Sequence, residues 1–229
     1  MIRFDQLTCR RGGYTLDLPD LQIRPGEVTA LLGANGAGKT TLLELVGGFL
    51  APTTGTVRVD GRDPVADLEA VRRTIGWMTD DMSLFPGTLA HNLSAMSGFY
   101  PTFDRAFAEH VAERLGVPLS VWPAQLSKGQ AVRARLVCAL AHRPRWLLLD
   151  EPATGLDAAS RRALLALLME LMVDEQQAIV VSSHQTADVE RIADRVVLLD
   201  RGRVVADGTV EEVTGGRATL EEVLLGVVR

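Results

Sequence analysis

The stretch VTALLGANGAGKTTLLELV, residues 28–46, constrains this chain more than any other. Its first part, VTALLG (28–33), is a continuous apolar run with the look of a strand buried on both faces. A glycine-rich turn follows, then a helical pattern, KTTLLELVGG. Gly33, Gly38, Lys39 and Thr40 fill the defined positions of G-x-x-x-x-G-K-[ST], and a strand before and a helix after are the context that confirms that motif. Glycines let the backbone curl with its N–H groups inward, so Gly33, Ala34, Asn35, Gly36, Ala37, Gly38, Lys39, Thr40 and Thr41 form a nest for phosphate oxygens. The helix N-terminus adds partial positive charge. Lys39 can reach the β- and γ-phosphates, and the Thr40 hydroxyl is placed for Mg²⁺. The plainer reading, an accidental glycine-rich turn, does not explain the whole context.

The rest of the chain supplies strands and helices around that loop. IRFDQL (2–7) and YTLDLPDLQI (14–23) alternate as half-buried antiparallel strands do. GTVRVDG (55–61), TIGWMT (74–79), WLLLD (146–150), AIVVSS (178–183) and RVVLLD (195–200) are further strands, and 200–208 reads as a hairpin. The pattern is helical from about Thr88 to Ala141 and again over 159–175. Buried strands alternating with helices predict an α/β fold: a mainly parallel core sheet with an antiparallel β edge and a helical subdomain. We expect a single domain over 1–229, with its core at about 1–87 and 142–208, the helical subdomain at about 88–141 and a helical tail at about 209–229. The tail holds two capping-box patterns, starting at Thr209 and Thr219, and Leu220, Val223, Leu224 and Val227 give its last helix an apolar face.

Composition narrows the function classes. The 229 residues are 47% hydrophobic, enough for a large core. A net charge of −5, from 24 basic and 29 acidic residues, gives no general attraction for nucleic acid, which is not an expected partner. Cys9 and Cys138 fit a reducing compartment, Cys138 as a small core residue. MIRFDQLTCRR lacks the apolar centre of a signal peptide, and no run approaches the roughly 18 apolar residues of a membrane span. We therefore expect a soluble chain that something else must hold if it acts at a membrane.

WLLLDEP puts two carboxylates at the end of a buried strand, where parallel sheets border their ligand crevice. Asp150 is placed to hold Mg²⁺, directly or through water. Strand side chains alternate, so Glu151 points elsewhere and is a candidate to polarise an attacking water. Asp200 shows that an acidic strand end also arises by chance, but it lacks the second carboxylate and the EPATGLD continuation.

Together these motifs resemble the nucleotide-binding domain of ABC transporters over nearly the whole chain. GANGAGKT resembles the Walker A motif, LLLDE the Walker B motif, LSKGQ (126–130) the family signature, TGLD (154–157) the D-loop and SSH (182–184) the switch-histidine segment. The resemblance implies an ATP- and Mg²⁺-dependent ATPase whose two copies sandwich two ATP molecules head to tail, as a homo- or heterodimer. Ser127, Lys128, Gly129 and Gln130 would then face ATP bound across the dimer, Asp157 would bridge the two sites, and His184 would hold the γ-phosphate. A separate integral membrane subunit would be the partner, placing the chain in the cytoplasm on the inner face of the membrane.

Three positions depart from the family pattern. Asp80 stands where Gln usually touches Mg²⁺; a carboxylate can still approach the metal, and we expect it to keep that role. At the place of the adenine-stacking aromatic lies Arg11, with Tyr14 three residues on, and either could serve. Lys128 replaces the usual glycine; it could add charge near the γ-phosphate, but we expect it to point to solvent at the dimer seam. With FYPTFD (99–104), the acidic Asp80 and SSH, it resembles bacterial exporter-type cassettes. The alternative is a soluble, non-transport ABC ATPase such as a cofactor-assembly factor. A chromosome-maintenance ATPase is excluded, because Lys39 and Ser127 lie too close for a long coiled coil between them. Ser127 and Gln130 also have capping-box spacing, which does not by itself require Gly129.

Overall fold

Apolar–polar alternation at the start of the chain makes a hairpin: β1 (Ile2–Arg11) runs antiparallel to β2 (Tyr14–Ile23) and buries Ile2, Phe4, Leu7 and Cys9. These elements belong to a computed structural model that describes residues 1–79, 81–171 and 177–227. The unbroken apolar run becomes β3 (Val28–Leu32), buried at every residue. Then follow β4 (Thr54–Val59), β5 (Ile75–Met78), β6 (Trp146–Asp150), β7 (Ala178–Ser183), β8 (Arg195–Asp200) and β9 (Arg203–Gly208). They join in one sheet of order β4-β1-β2-β9-β8-β3-β7-β6-β5. β8, β3, β7, β6 and β5 pair in parallel, whereas β4, β1 and β2 form an antiparallel edge and β8–β9 a hairpin. The fold is thus the α/β sheet expected, with parallel strands at its centre.

Helices cover both faces. They are α1 (Lys39–Val46), α2 (Leu68–Arg72), α3 (Leu89–Ser97), α4 (Arg105–Arg114), α5 (Lys128–Leu140), α6 (Ala158–Leu171), α7 (Thr186–Val189), α8 (Val210–Thr214) and α9 (Leu220–Val227). The strand period of two divides the core. Val28, Ala30 and Leu32 of β3 pack with residues of α3 to α6, while Leu31 packs with α1 and the β1–β2 edge. The helical stretch between β5 and β6 therefore has no core of its own; Leu89, Val111 and Val132 share one apolar cluster with the sheet. Both tail capping boxes form, at Thr209–Glu212 and Thr219–Glu222. Leu220, Val223 and Leu224 dock α9 on the body, and the Leu220 amide donates to Glu190 at 2.5 Å. The Val227 side chain and the expected continuation of α6 to Glu175 lie outside the described residues.

Candidate nucleotide site

Three neighbouring parallel strands deliver the site. The loop after β3 leads into α1, β6 ends at Asp150 with Glu151 next, and β7, which lies between them, ends at Ser182 and Ser183 with His184 next. The Lys39 side chain is only 6% exposed; its ammonium donates to the carbonyls of Gly33 at 2.7 Å and Ala34 at 3.3 Å and stands 3.4 Å from Glu151 Oε1. A buried ammonium needs such partners, because an unpaired one is strongly disfavoured. Thr40 Oγ1 donates to Asp150 Oδ2 at 2.7 Å, and Ser182 Oγ donates to Asp150 Oδ1 at 2.5 Å. Ser182 Oγ also accepts the Glu151 amide at 2.8 Å.

Glu151 has a left-handed backbone, φ 49°, a conformation that holds a non-glycine residue at about 1–3 kcal/mol of strain. This turn aims its carboxylate at His184, whose Nδ1 lies 2.8 Å from Glu151 Oε2. Lys39, Thr40, Asp150, Glu151 and His184 are thereby brought together from three segments. Two adjoining cavities flank them. One, of about 360 Å³, is lined by Tyr14, Asn35, Gly36, Gly38, Lys39, Thr40, Thr41 and Glu151. The other, of about 490 Å³, is bounded by Thr40, Thr79, Asp81, Asp150, Glu151 and His184 among others. Thr40 and Asp150 are hard oxygen donors with a single carboxylate between them, the partial set on which Mg²⁺ sits while keeping water and phosphate ligands.

The other candidates divide. Tyr14 lines the first cavity, and its hydroxyl donates to the Ala37 carbonyl at 2.9 Å. Arg11 is paired with Glu44 at 3.0 Å, its side chain 64% exposed. Asp80 lies outside the described residues. Ser127, Lys128, Gly129 and Gln130 line neither cavity. Ser127 and Gln130 close a full capping box at the start of α5. Lys128 folds over Gly155, where a Cβ would fall 2.2 Å from its Nζ. Gly155 has φ +71°, a left-handed backbone that favours glycine there, whereas the exposed lysine end could move aside. Asp157 accepts the Ala159 and Ser160 amides and so caps α6, and the Ser160 amide holds its carboxyl below the usual range. Sequence reasoning gave no individual role to Ser182, Thr79 or Asp81. For Asp81 the only signal was its place in the acidic TDD run, and Thr79 donates to it at 2.6 Å.

The family model described as ABC transporter matches residues 16–154. The chain belongs to the ABC transporter family. It is 37% identical to the thiamine import ATP-binding protein ThiQ of Yersinia pestis, over 90% of this chain and 89% of that protein. It is 38% identical to the methionine import ATP-binding protein MetN of Caulobacter vibrioides, over 93% of this chain and 68% of that one. A solved structure described as the ATP binding subunit of an ABC transporter superposes with a TM-score of 0.86, at 27% identity and 99% coverage of both chains. This ABC cassette is thus an ATP-binding subunit, and no helix among its described residues is long and apolar enough to cross a membrane.

Both named relatives are import proteins, so they do not support the exporter-type expectation. The described residues behind that expectation make contacts within this chain. Lys128 lies on Gly155, Tyr100 stacks on His142 at 4.0 Å, Thr102 donates to the His142 carbonyl, and Asp104 caps α4. Such internal contacts carry no information about transport direction in an ABC cassette.

Proposed function

We propose that this chain hydrolyses ATP with Mg²⁺, pairs with a second cassette and powers a separate membrane subunit from the cytoplasmic face of a membrane. The observation that carries the reading is the joining of Lys39, Thr40, Asp150, Glu151 and His184 at three adjacent strand ends. Lys39 leaves its loop carbonyls to bind the outer phosphates, while the inward N–H groups of residues 33–41 hold the rest of the triphosphate. Thr40 and Asp150 would hold Mg²⁺, which when bound neutralises charge on the phosphate oxygens. Glu151 then orients an attacking water and accepts its proton, with His184 fixing the Glu151 carboxylate through the 2.8 Å contact.

Dimerisation is supported by Gly129. A Cβ there would meet Ser160 Oγ at 3.4 Å, an ordinary contact, so packing within the chain does not demand glycine. A phosphate held by another cassette against the α5 N-terminus would. The names of the relatives favour import, and because ThiQ and MetN are named for different solutes they single out no solute for this chain. The test is steady-state ATP turnover. Glu151→Gln is expected to lower kcat by at least about 100-fold while ATP still binds. Turnover at the native rate in that variant would remove Glu151 from the chemistry and refute the mechanism.

A further inference from the structure

Of the residues lining the first cavity, Tyr14 alone comes from outside the loop-and-carboxylate machinery. It opens β2, opposite Arg11 at the end of β1. Its hydroxyl donates to the Ala37 carbonyl at 2.9 Å, and that carbonyl also accepts the Gly202 amide, from the β8–β9 turn, at 3.0 Å. Two donors from separate elements therefore fix one loop carbonyl in place. A Cβ on Gly38 would fall 2.1 Å from the Tyr14 hydroxyl and 2.9 Å from Leu16 Cδ1, so the tyrosine is seated against the loop backbone itself.

The peptide joining Ala37 to Gly38 is planar and trans, and its C=O and N–H therefore point in opposite directions. Fixing the Ala37 carbonyl on its Tyr14 and Gly202 donors therefore also fixes the direction of the Gly38 N–H. We propose that Tyr14 is a positioning residue of the phosphate loop: by holding the Ala37 carbonyl it aims the Gly38 N–H at the triphosphate. The inference rests on the ATP-site reading above and deepens it. Burial raises the Tyr14 hydroxyl above the usual phenol range, with Cys9 adding to the effect, so it remains a donor at neutral pH. The role belongs to the hydroxyl and acts on phosphate, which separates it from stacking on a base. A stacking residue uses the ring face, and phenylalanine would serve equally well.

The experiment measures equilibrium binding in Glu151→Gln protein, with and without Tyr14→Phe, by competition against a fluorescent ATP analogue. The competitors are ATP, GTP and inorganic tripolyphosphate, each with Mg²⁺. Loss of one hydrogen bond predicts a three- to tenfold weaker affinity in the Phe variant, by the same factor for all three competitors. Unchanged ATP affinity in Tyr14→Phe overturns the proposal. A loss for ATP and GTP that spares tripolyphosphate also overturns it and assigns Tyr14 to the base. If the Glu151→Gln protein with native Tyr14 binds none of the three, the ATP-site reading itself fails.

Discussion

Ser182 ties the two acidic residues of the site to the strand that carries His184. Its single proton goes to Asp150 Oδ1, and its oxygen accepts the Glu151 amide, all at a fully buried position. Removing that hydroxyl leaves Asp150, among the described residues, held only by Thr40 and leaves the Glu151 amide without its partner. Supports of this kind around metal and catalytic groups are worth about 10- to 100-fold in metal affinity or activity. Ser182→Ala is accordingly expected to lower kcat by about that factor and to raise the Mg²⁺ concentration needed for half-maximal turnover. A Mg²⁺ titration of ATP hydrolysis checks this, and a native profile would show that the two bonds do not matter. Nothing in the SSH motif marks Ser182 for this role. The bond depends on the β6–β7 register, which pairs Asp150 with Ser182, and a linear sequence does not display register.

At the scale of elements, the N-terminus of α5 shows a local signal read correctly and a distant one that could not be read. The S-x-x-Q spacing predicts the capping box, and the structure contains it, with Gln130 N to Ser127 Oγ at 3.3 Å and Ser127 N to Gln130 Oε1 at 3.0 Å. Ser127→Ala is expected to reduce global stability by about 1 kcal/mol, and Ser127→Thr to recover most of it, as measured by urea denaturation without nucleotide. The position of Lys128 over Gly155 was not legible, because it depends on how α5 meets the turn before α6. Strand identity was legible wherever apolar runs were unbroken, as in β3 and β6. The short α2 and α7 were not, since a turn or so of helix shows too little periodicity to read.

Across the whole molecule, His142 joins the helical stretch to the sheet. Its ring stacks on Tyr100, Nε2 meets the Ile75 carbonyl at 3.1 Å, and Nδ1 is buried without a hydrogen-bond partner among the described residues. Burial lowers its pKa to about 4, from an ordinary value of 6.5. The folded state therefore binds fewer protons than the unfolded state between those values. Its stabilising effect is complete above pH 6.5 and is lost as pH falls toward 4. The full span is on the order of 3 kcal/mol. Denaturation midpoints at pH 7 and pH 5 are expected to differ less in His142→Gln than in the native protein.

The strand order also governs how this site comes into being. β3, which carries the phosphate loop, pairs with β7 on one side and β8 on the other, and both begin beyond residue 177. During synthesis VTALL emerges early, an apolar five-residue segment with both edges open, and it waits for its neighbours until most of the chain has left the ribosome. Asp150 and Ser182 likewise meet only when β7 arrives. A chain cut off before β7 therefore has no assembled nucleotide site, and the unpaired β3 is a segment that a chaperone has reason to shield.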